Sequence, residues 1–255
     1  MKIVTLIKQV PDTWGERKLD TATGLLDRAA SDRILDDIGE RALEAALTVK
    51  DSDKSTEVVA LTMGPDAAGE AIRKALSMGA DSGVHVVSDD LAGSDLLRTA
   101  QALAAALREG GFDLVVAGNE STDGRGGVIP AMVAELLGVP AALGLDELTI
   151  TGEGVRGVRR TEVGEFTVEA PLPAVVSVTE KTPEPRFPNI KGIMTAKRKP
   201  VASHSAADLG LAAPTAASRV VATAERPARG AGTVVTDDGT AVTQLIDYLA
   251  ANRLI

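Results

Sequence analysis

The sequence contains no cysteine and only two histidines, His85 and His204. The first absence excludes disulfides, thiolate metal sites, iron–sulfur clusters and a thiol nucleophile. The second means that a two-histidine metal site or a Ser-His-Asp triad would have to use one of these two residues. Aromatic residues are nearly as scarce, with three Phe, one Trp and one Tyr in 255 residues. That is too few for a stacking platform on single-stranded nucleic acid. Acidic residues outnumber basic ones by 36 to 27, a formal charge of −9, whereas a general nucleic-acid binder presents a basic surface. One local basic patch remains compatible with this balance. No apolar run reaches the length of a membrane span. The opening Met1-Lys2-Ile3-Val4 enters an apolar strand without a signal-peptide layout. The expectation is a cytoplasmic, acidic, globular chain, 44% hydrophobic, that inserts in no membrane and lacks the usual catalytic side chains.

Apolar runs alternate with helical patterns through the first 140 residues. Lys2 to Val10, Glu57 to Met63, Gly83 to Val87 and Phe112 to Ala117 read as buried strands. Between them, Asp37 to Lys50, Ala67 to Met78 and Ser94 to Arg108 read as helices, and Val128 to Leu137 adds another. Gly79, Gly110-Gly111 and Gly138 stand at the helix ends, where glycine is favoured. Such alternation predicts a doubly wound α/β fold, a mainly parallel sheet with helices on both faces. Ligands of such sheets lie beyond the carboxyl ends of the strands. The pattern then changes. Leu145 to Ile150, Gly154 to Thr161 and Glu165 to Glu169 predict a small antiparallel hairpin region, and Ala174 to Thr179 one more apolar strand. From Lys199 to Ala231 the chain is rich in Ala, Pro, Ser and Thr, which predicts an extended C-terminal arm. A short helix over about Thr240 to Asn252 ends it, with Val242, Leu245, Ile246 and Leu249 in one stripe. The expected organisation is an α/β domain over 1–199 and an arm with its helix over 200–255.

Four stretches after the strands have the composition of a site. The richest runs Gly118-Asn119-Glu120-Ser121-Thr122-Asp123-Gly124-Arg125-Gly126-Gly127-Val128-Ile129-Pro130. It follows a buried strand and opens a helix. Glycines let backbone N–H groups converge, the helix N-terminus adds positive potential, and Arg125 adds a formal charge, a combination suited to phosphate. No Gly-Lys-Ser/Thr ending is present, so nucleotide hydrolysis is not implied. A βα turn needing only tight geometry would read the same way. At the end of the first strand, Lys8 and Asp12 flank Pro11 and either face a ligand or simply close the strand. The Gly of Thr62-Met63-Gly64-Pro65 permits close backbone approach to an adenine or ribose, or makes an ordinary turn. In Pro183 to Lys199, three prolines hold an extended loop with an apolar pair beside a Lys/Arg cluster. This is either a docking anchor with steering charge or a solvated charge run. His85 reads as a packed strand residue and His204 as a solvated one. The terminal helix stripe either packs on its own domain or clasps a second subunit.

Taken in order, five segments resemble the electron transfer flavoprotein β subunit. They are Ile7 to Asp12, Glu70 to Asp81, Gly118 to Pro130, Leu172 to Ser177, and Glu184-Pro185-Arg186 through Ile193-Met194-Thr195-Ala196-Lys197. The resemblance covers nearly the whole chain and is weakest from 200 to 235. Within the family's stretch from about Gly157 to Ser177, Val163 and Phe166 depart from the usual residues. The resemblance implies an adenine-nucleotide-binding α/β fold in a heterodimer whose α subunit holds most of the FAD. It implies AMP in this chain, contacted by Leu6, by Asp36, Asp37, Ile38 and Gly39, by Met63, and by Gly118, Asn119, Glu120, Ser121, Thr122, Asp123, Gly124, Arg125, Gly126, Gly127, Val128 and Ile129, in several cases through backbone groups. The flavin's dimethylbenzene edge falls near Thr13 and Ile38, with Trp14 adjacent. The loop from Pro185 to Lys199 resembles the one that docks acyl-CoA dehydrogenases, with Ile190 at the apolar anchor and Arg186, Lys191 and Lys197 beside it. Electrons would pass from such dehydrogenases to FAD and on to a membrane quinone oxidoreductase. The chain would be a carrier subunit and not itself an enzyme, its arm wrapping the α subunit.

Three other readings meet the same residues. In an electron-bifurcating relative the β subunit holds a second FAD in place of AMP. An adenylate-chemistry enzyme would want a Ser-Gly-Gly-x-Asp-Ser loop or paired histidines after the first strand, where this chain has Pro11-Asp12-Thr13-Trp14-Gly15. A nucleotide-sensing module of the universal stress protein type is shorter and lacks everything that follows residue 145.

Overall fold

The alternating pattern forms fourteen strands and six helices among the residues that the computed structural model describes, which are 1–15, 17–28, 30–212, 217, 218, 220–224 and 227–255. The first strand, β1 (Lys2–Leu6), is followed by the short β2 (Gln9–Pro11), β3 (Leu19–Asp20), β4 (Leu25–Leu26) and β5 (Arg33–Leu35). Then come α1 (Asp37–Ser52), β6 (Glu57–Met63), α2 (Gly69–Met78), β7 (Ser82–Val86), α3 (Leu96–Gly110), β8 (Leu114–Gly118) and α4 (Ile129–Leu137). The second half holds β9 (Ala141–Leu145), β10 (Glu147–Ile150), β11 (Gly154–Thr161), β12 (Gly164–Pro171), β13 (Ala174–Val178), α5 (Ile190–Ala196), β14 (Val201–His204) and α6 (Ala241–Ala251).

Seven strands form one sheet in the order β14-β7-β6-β1-β8-β13-β9. Every neighbouring pair is parallel. The sheet is covered on both faces, which is why its strands read as unbroken apolar runs. Alternate residues feed two cores. Ile3, Leu114 and Val176 join Leu43 and Leu47 of α1 and Ile72 and Leu76 of α2 on one face. Val4, Val115 and Val175 join Leu103 and Leu107 of α3 and Val133 of α4 on the other. The helix ends follow local chemistry. Asp36 caps α1 and Asp95 caps α3 through their carboxylates. Gly79 closes α2, and Gly138 closes α4 in the left-handed conformation that glycine reaches without steric cost.

Three elements differ from the sequence expectation. Residues 201–204 do not belong to an extended arm but form the edge strand β14, parallel to β7. The expected antiparallel strand from Leu145 begins two residues later, as β10, because Leu145 ends β9, an unforeseen parallel edge strand of the central sheet. The segment after Pro188 is not wholly extended, because the Asn189 side chain accepts from the Gly192 N–H and starts α5. Two compact units divide the chain, Met1–Val221 and Ala222–Ile255. Residues 213–216, 219, 225 and 226 of the expected arm lie outside those described. In the second unit α6 has no buried residue, and Val242, Leu245 and Ile246 are exposed. Among the described residues, no helix is long and apolar enough to cross a membrane.

Candidate nucleotide site

In sheet order the chain moves from β1 to β6 on one side and places β8 on the other. A crevice forms at the carboxyl edge of a parallel sheet where the direction of winding reverses, and it is the usual ligand position of such folds. Here the switch lies between β1 and β8. The expected contact residues converge on it from four elements. Leu6 ends β1, Met63 ends β6, Gly118 ends β8, and Asp36 to Gly39 open α1. The close approach of α1 depends on Gly118, where a Cβ would fall 2.9 Å from the Ile38 Cγ2. The Ile38 side chain is therefore a buried wall of the crevice, 7% exposed against Gly118. Trp14, the aromatic nearest in sequence to the expected flavin edge, is 96% exposed.

The loop from Gly118 to Ile129 is held from beneath by α1. The Asp36 carboxylate accepts from the Ile38 N–H at 3.1 Å, and from both the N–H and the hydroxyl of Thr122 at 2.7 Å. One carboxylate thus caps α1 and fixes the loop. From the side, Lys8 Nζ donates to Ser121 Oγ at 3.1 Å and to Asp123 Oδ1 at 2.8 Å. Arg28 donates to Asp123 Oδ2 at 3.0 Å and to the Gln9 carbonyl at 3.2 Å. Arg17 reaches the Thr122 carbonyl and, at 3.1 Å, its hydroxyl. The Asp123 side chain is 2% exposed. Burial, the largest single influence, pushes its pKa up. Lys8, Ser121 and Arg28 together outweigh burial and hold the carboxyl at about 2. Asp123 is a structural counter-ion, fully charged at neutral pH.

Arg17 and Arg28 were not legible as part of this site. They flank the β3–β4 hairpin, which has two-residue strands. The available signal was Asp20 opening and Gly24 closing the turn between two leucines, a recognised hairpin pattern. Asp20 indeed accepts from the Ala22 N–H at 2.8 Å, and Gly24 has φ +73°. Of the two rim residues expected near Pro11, Lys8 ties the loop. Asp12 accepts from the Trp14 N–H at 2.9 Å and shapes its own turn. His85 is 7% exposed and meets the Gly64 carbonyl at 3.1 Å. It fixes the turn after β6, and no other described function falls to it. His204 lies in β14.

The far end of the loop differs from the near end. Arg125 and Gly127 have φ of 48° and 65°, and the chain then enters α4 with Pro130 in the first turn. Among the described residues, no acceptor meets the backbone N–H groups of Gly126, Gly127, Val128 or Ile129. At the start of the same loop the Asn119 Oδ1 is buried with no hydrogen-bond partner among the described residues. Buried polar atoms are rarely left so, and this one marks a place for a donor. The chemistry on offer is a row of anion-binding N–H groups, one Arg, and one amide acceptor. That combination fits a nucleotide, whose phosphate takes the N–H groups and whose base or sugar supplies the donor. A cavity of about 900 Å³ lies at the opposite rim of the sheet, lined in part by Met1, Phe112, Leu148, Ile150 and Pro173. Arg41, Glu44, Thr48 and Asp113 also line it, so its wall is mixed, and it lacks the glycine-rich turn into a helix.

The expected docking segment lies beyond α1. Ile190, Lys191, Met194 and Lys197 are exposed, and Phe187 is 92% exposed. Arg186 is not among the free cations. Its guanidinium binds Glu44 in two places, at 2.8 and 2.7 Å, and Asp51 at 2.7 Å.

Comparison with known proteins agrees with this architecture. A model of the electron transfer flavoprotein domain matches residues 23–209. The electron transfer flavoprotein subunit beta of Mycobacterium tuberculosis is 49% identical over 263 aligned positions, covering 99% of each chain. That of Megasphaera elsdenii is 32% identical with both chains wholly covered. The subunit CarD of the caffeyl-CoA reductase–Etf complex of Acetobacterium woodii is 33% identical, covering 98% of this chain and 97% of that one. With the family domain spanning most of the α/β unit and full-length relatives at this identity, the chain belongs to the electron transfer flavoprotein family, as a β subunit.

Proposed function

We propose that this β subunit binds AMP structurally in the crevice between β1 and β8, helps enclose FAD held mainly by its α subunit, and docks acyl-CoA and related dehydrogenases. Electrons then pass through that FAD to a membrane quinone oxidoreductase. The observation that carries the nucleotide reading is that one loop holds both four N–H groups, Gly126 to Ile129, that no acceptor among the described residues meets, and the orphan Asn119 Oδ1. A monophosphate suits one short N–H row beside the single charge of Arg125. Of the other nearby cations, Lys8 and Arg28 are both engaged by the one carboxylate of Asp123, and Arg17 is held on Thr122. Flavin supplies the one- and two-electron chemistry when bound. The residues of this chain bind, orient and exclude water, and none acts as acid, base or nucleophile.

The docking surface is the stripe of Phe187, Ile190 and Met194 with Lys191, Lys197 and Arg198 around it. A small apolar anchor with peripheral cations suits an apolar pocket with an acidic rim, and a contact of that size exchanges readily between partners. The test of the nucleotide reading is mass identification of what the purified heterodimer releases on denaturation. One AMP and one FAD per heterodimer is the expected result. Two FAD and no AMP would move the chain to the bifurcating class. ATP in place of AMP would favour an adenylate-chemistry enzyme or a nucleotide-sensing module.

A further inference from the structure

The docking segment is short, apolar and exposed, and such a segment would lose much of its binding energy to ordering unless it is held beforehand. Three contacts hold it. At its start, the Arg186 backbone N–H and guanidinium both bind the Glu44 carboxylate, at 3.0 Å and at 2.7–3.1 Å, and the guanidinium also bridges to Asp51. Arg41, on the same helix, donates to the Thr182 carbonyl four residues earlier. At its middle, α5 lies against the end of α2 so closely that a Cβ on Gly192 would fall 2.2 Å from the Ser77 carbonyl oxygen. At its end, Lys199 Nζ donates to the Leu76 carbonyl in the last turn of α2 at 2.9 Å and to the Ala80 carbonyl just beyond it at 2.6 Å.

Of these contacts only the first involves a residue that sequence reasoning assigns to the partner. Glu44 is mostly buried, with its side chain 13% exposed, and Arg186 is 33% exposed. The Glu44 hydrogen bonds, followed by Asp51, raise the Arg186 pKa further above its usual value. A partner's carboxylate would have to compete with two resident ones. Among the described residues Lys191, Lys197 and Arg198 form no ion pair, and they are free for steering. We infer that Arg186 is a positioning residue: clamped by Glu44 and Asp51 onto α1, it fixes where Phe187, Ile190 and Met194 stand, and it does not meet the dehydrogenase. The inference rests on the docking reading above. It also gives α1 two tasks, since its N-cap Asp36 fixes the nucleotide loop and its Glu44 and Asp51 fix the docking segment.

The experiment measures steady-state reduction of the intact heterodimer by a purified acyl-CoA dehydrogenase, with the heterodimer as the varied acceptor, at several salt concentrations. Five variants are compared: Ile190→Ala, Lys191→Gln, Arg186→Gln, Glu44→Gln and Asp51→Asn. Asp51 is half exposed, so its variant folds even if the Glu44 one does not. Clamp variants are expected to raise KM by about tenfold, the loss of one ordered contact, with kcat, FAD and nucleotide content unchanged. Their salt dependence should match the parent's, whereas Lys191→Gln should flatten it. If Arg186→Gln flattens the salt dependence as Lys191→Gln does, Arg186 is a steering charge and the inference is overturned. If Ile190→Ala raises KM while all three clamp variants leave it unchanged, the clamp has no positioning role, although docking stands. If Ile190→Ala itself changes nothing, the docking reading falls and the inference with it.

Discussion

Asp123→Asn is the sharpest perturbation of the nucleotide loop. The carboxylate is buried, with 2% of its side chain exposed, between Lys8 and Arg28. Its pKa falls from an ordinary 3.8 to about 2. At roughly 1.4 kcal/mol per pH unit, that difference corresponds to about 2 kcal/mol of folding stability at neutral pH. The sign follows from the direction of the shift. A depressed folded-state pKa means that the stabilisation is complete above pH 4 and is lost as pH falls through the folded value near 2. The asparagine variant keeps the shape and cannot titrate. Urea unfolding of parent and variant heterodimers, at fixed protein and nucleotide concentration, should differ by about 2 kcal/mol at pH 7. At pH 3 the gap should be about half as large. Lys8 and Arg28 are 42% and 37% exposed, so they rehydrate in the variant and add little further cost. Two curves that run parallel from pH 7 to pH 3, or coincide at pH 7, would refute the assignment of Asp123 as the counter-ion of this loop.

Three further outcomes follow from the same geometry. Gly118→Ala places a methyl 2.9 Å from the Ile38 Cγ2 and should cost about 1–3 kcal/mol through over-packing, read as a lower thermal midpoint together with faster nucleotide loss. Asp36→Ala removes both the cap of α1 and the two Thr122 contacts. It should destabilise by at least the ~1 kcal/mol of an ordinary cap, with a parallel fall in nucleotide retained after gel filtration. Leu245→Asp, on the exposed stripe of α6, should weaken assembly with the α subunit while leaving the far-ultraviolet spectrum of the isolated chain unchanged; equal assembly would remove α6 from the clasp.

The α/β order was legible because its signals are strong and local. Strands buried on both faces leave continuous apolar runs, and Gly79 and Gly138 mark helix ends by their own chemistry. The loop of Gly118 to Ile129 was legible for the same reason, since its glycines, helix start and position after a buried strand occur together. What was missed is held by partners distant in sequence. β14 pairs through its backbone with β7, and its four residues, Val-Ala-Ser-His, are too few to show a strand period. In α5 the preceding prolines mask a seven-residue helix that depends on Asn189 and on packing against α2. Arg17 and Arg28 look like ordinary surface charges until the hairpin folds them onto Thr122 and Asp123. Arg186 sits in a basic cluster by sequence, and only the fold shows Glu44 and Asp51 beneath it.

The central claim is that the adenine nucleotide of this subunit lies at the carboxyl rim of the sheet, over the Gly118 to Ile129 loop, and not in the cavity at the opposite rim. Photolabelling the heterodimer, reconstituted with 8-azido-AMP, and mapping the modified peptides by mass locates it directly. The account predicts label in the segments 36–39, 62–65 or 118–129, reduced by excess AMP. AMP-sensitive label confined to the segments around Phe112, Leu148 to Ile150 and Pro173 would place the nucleotide at the other end and contradict it.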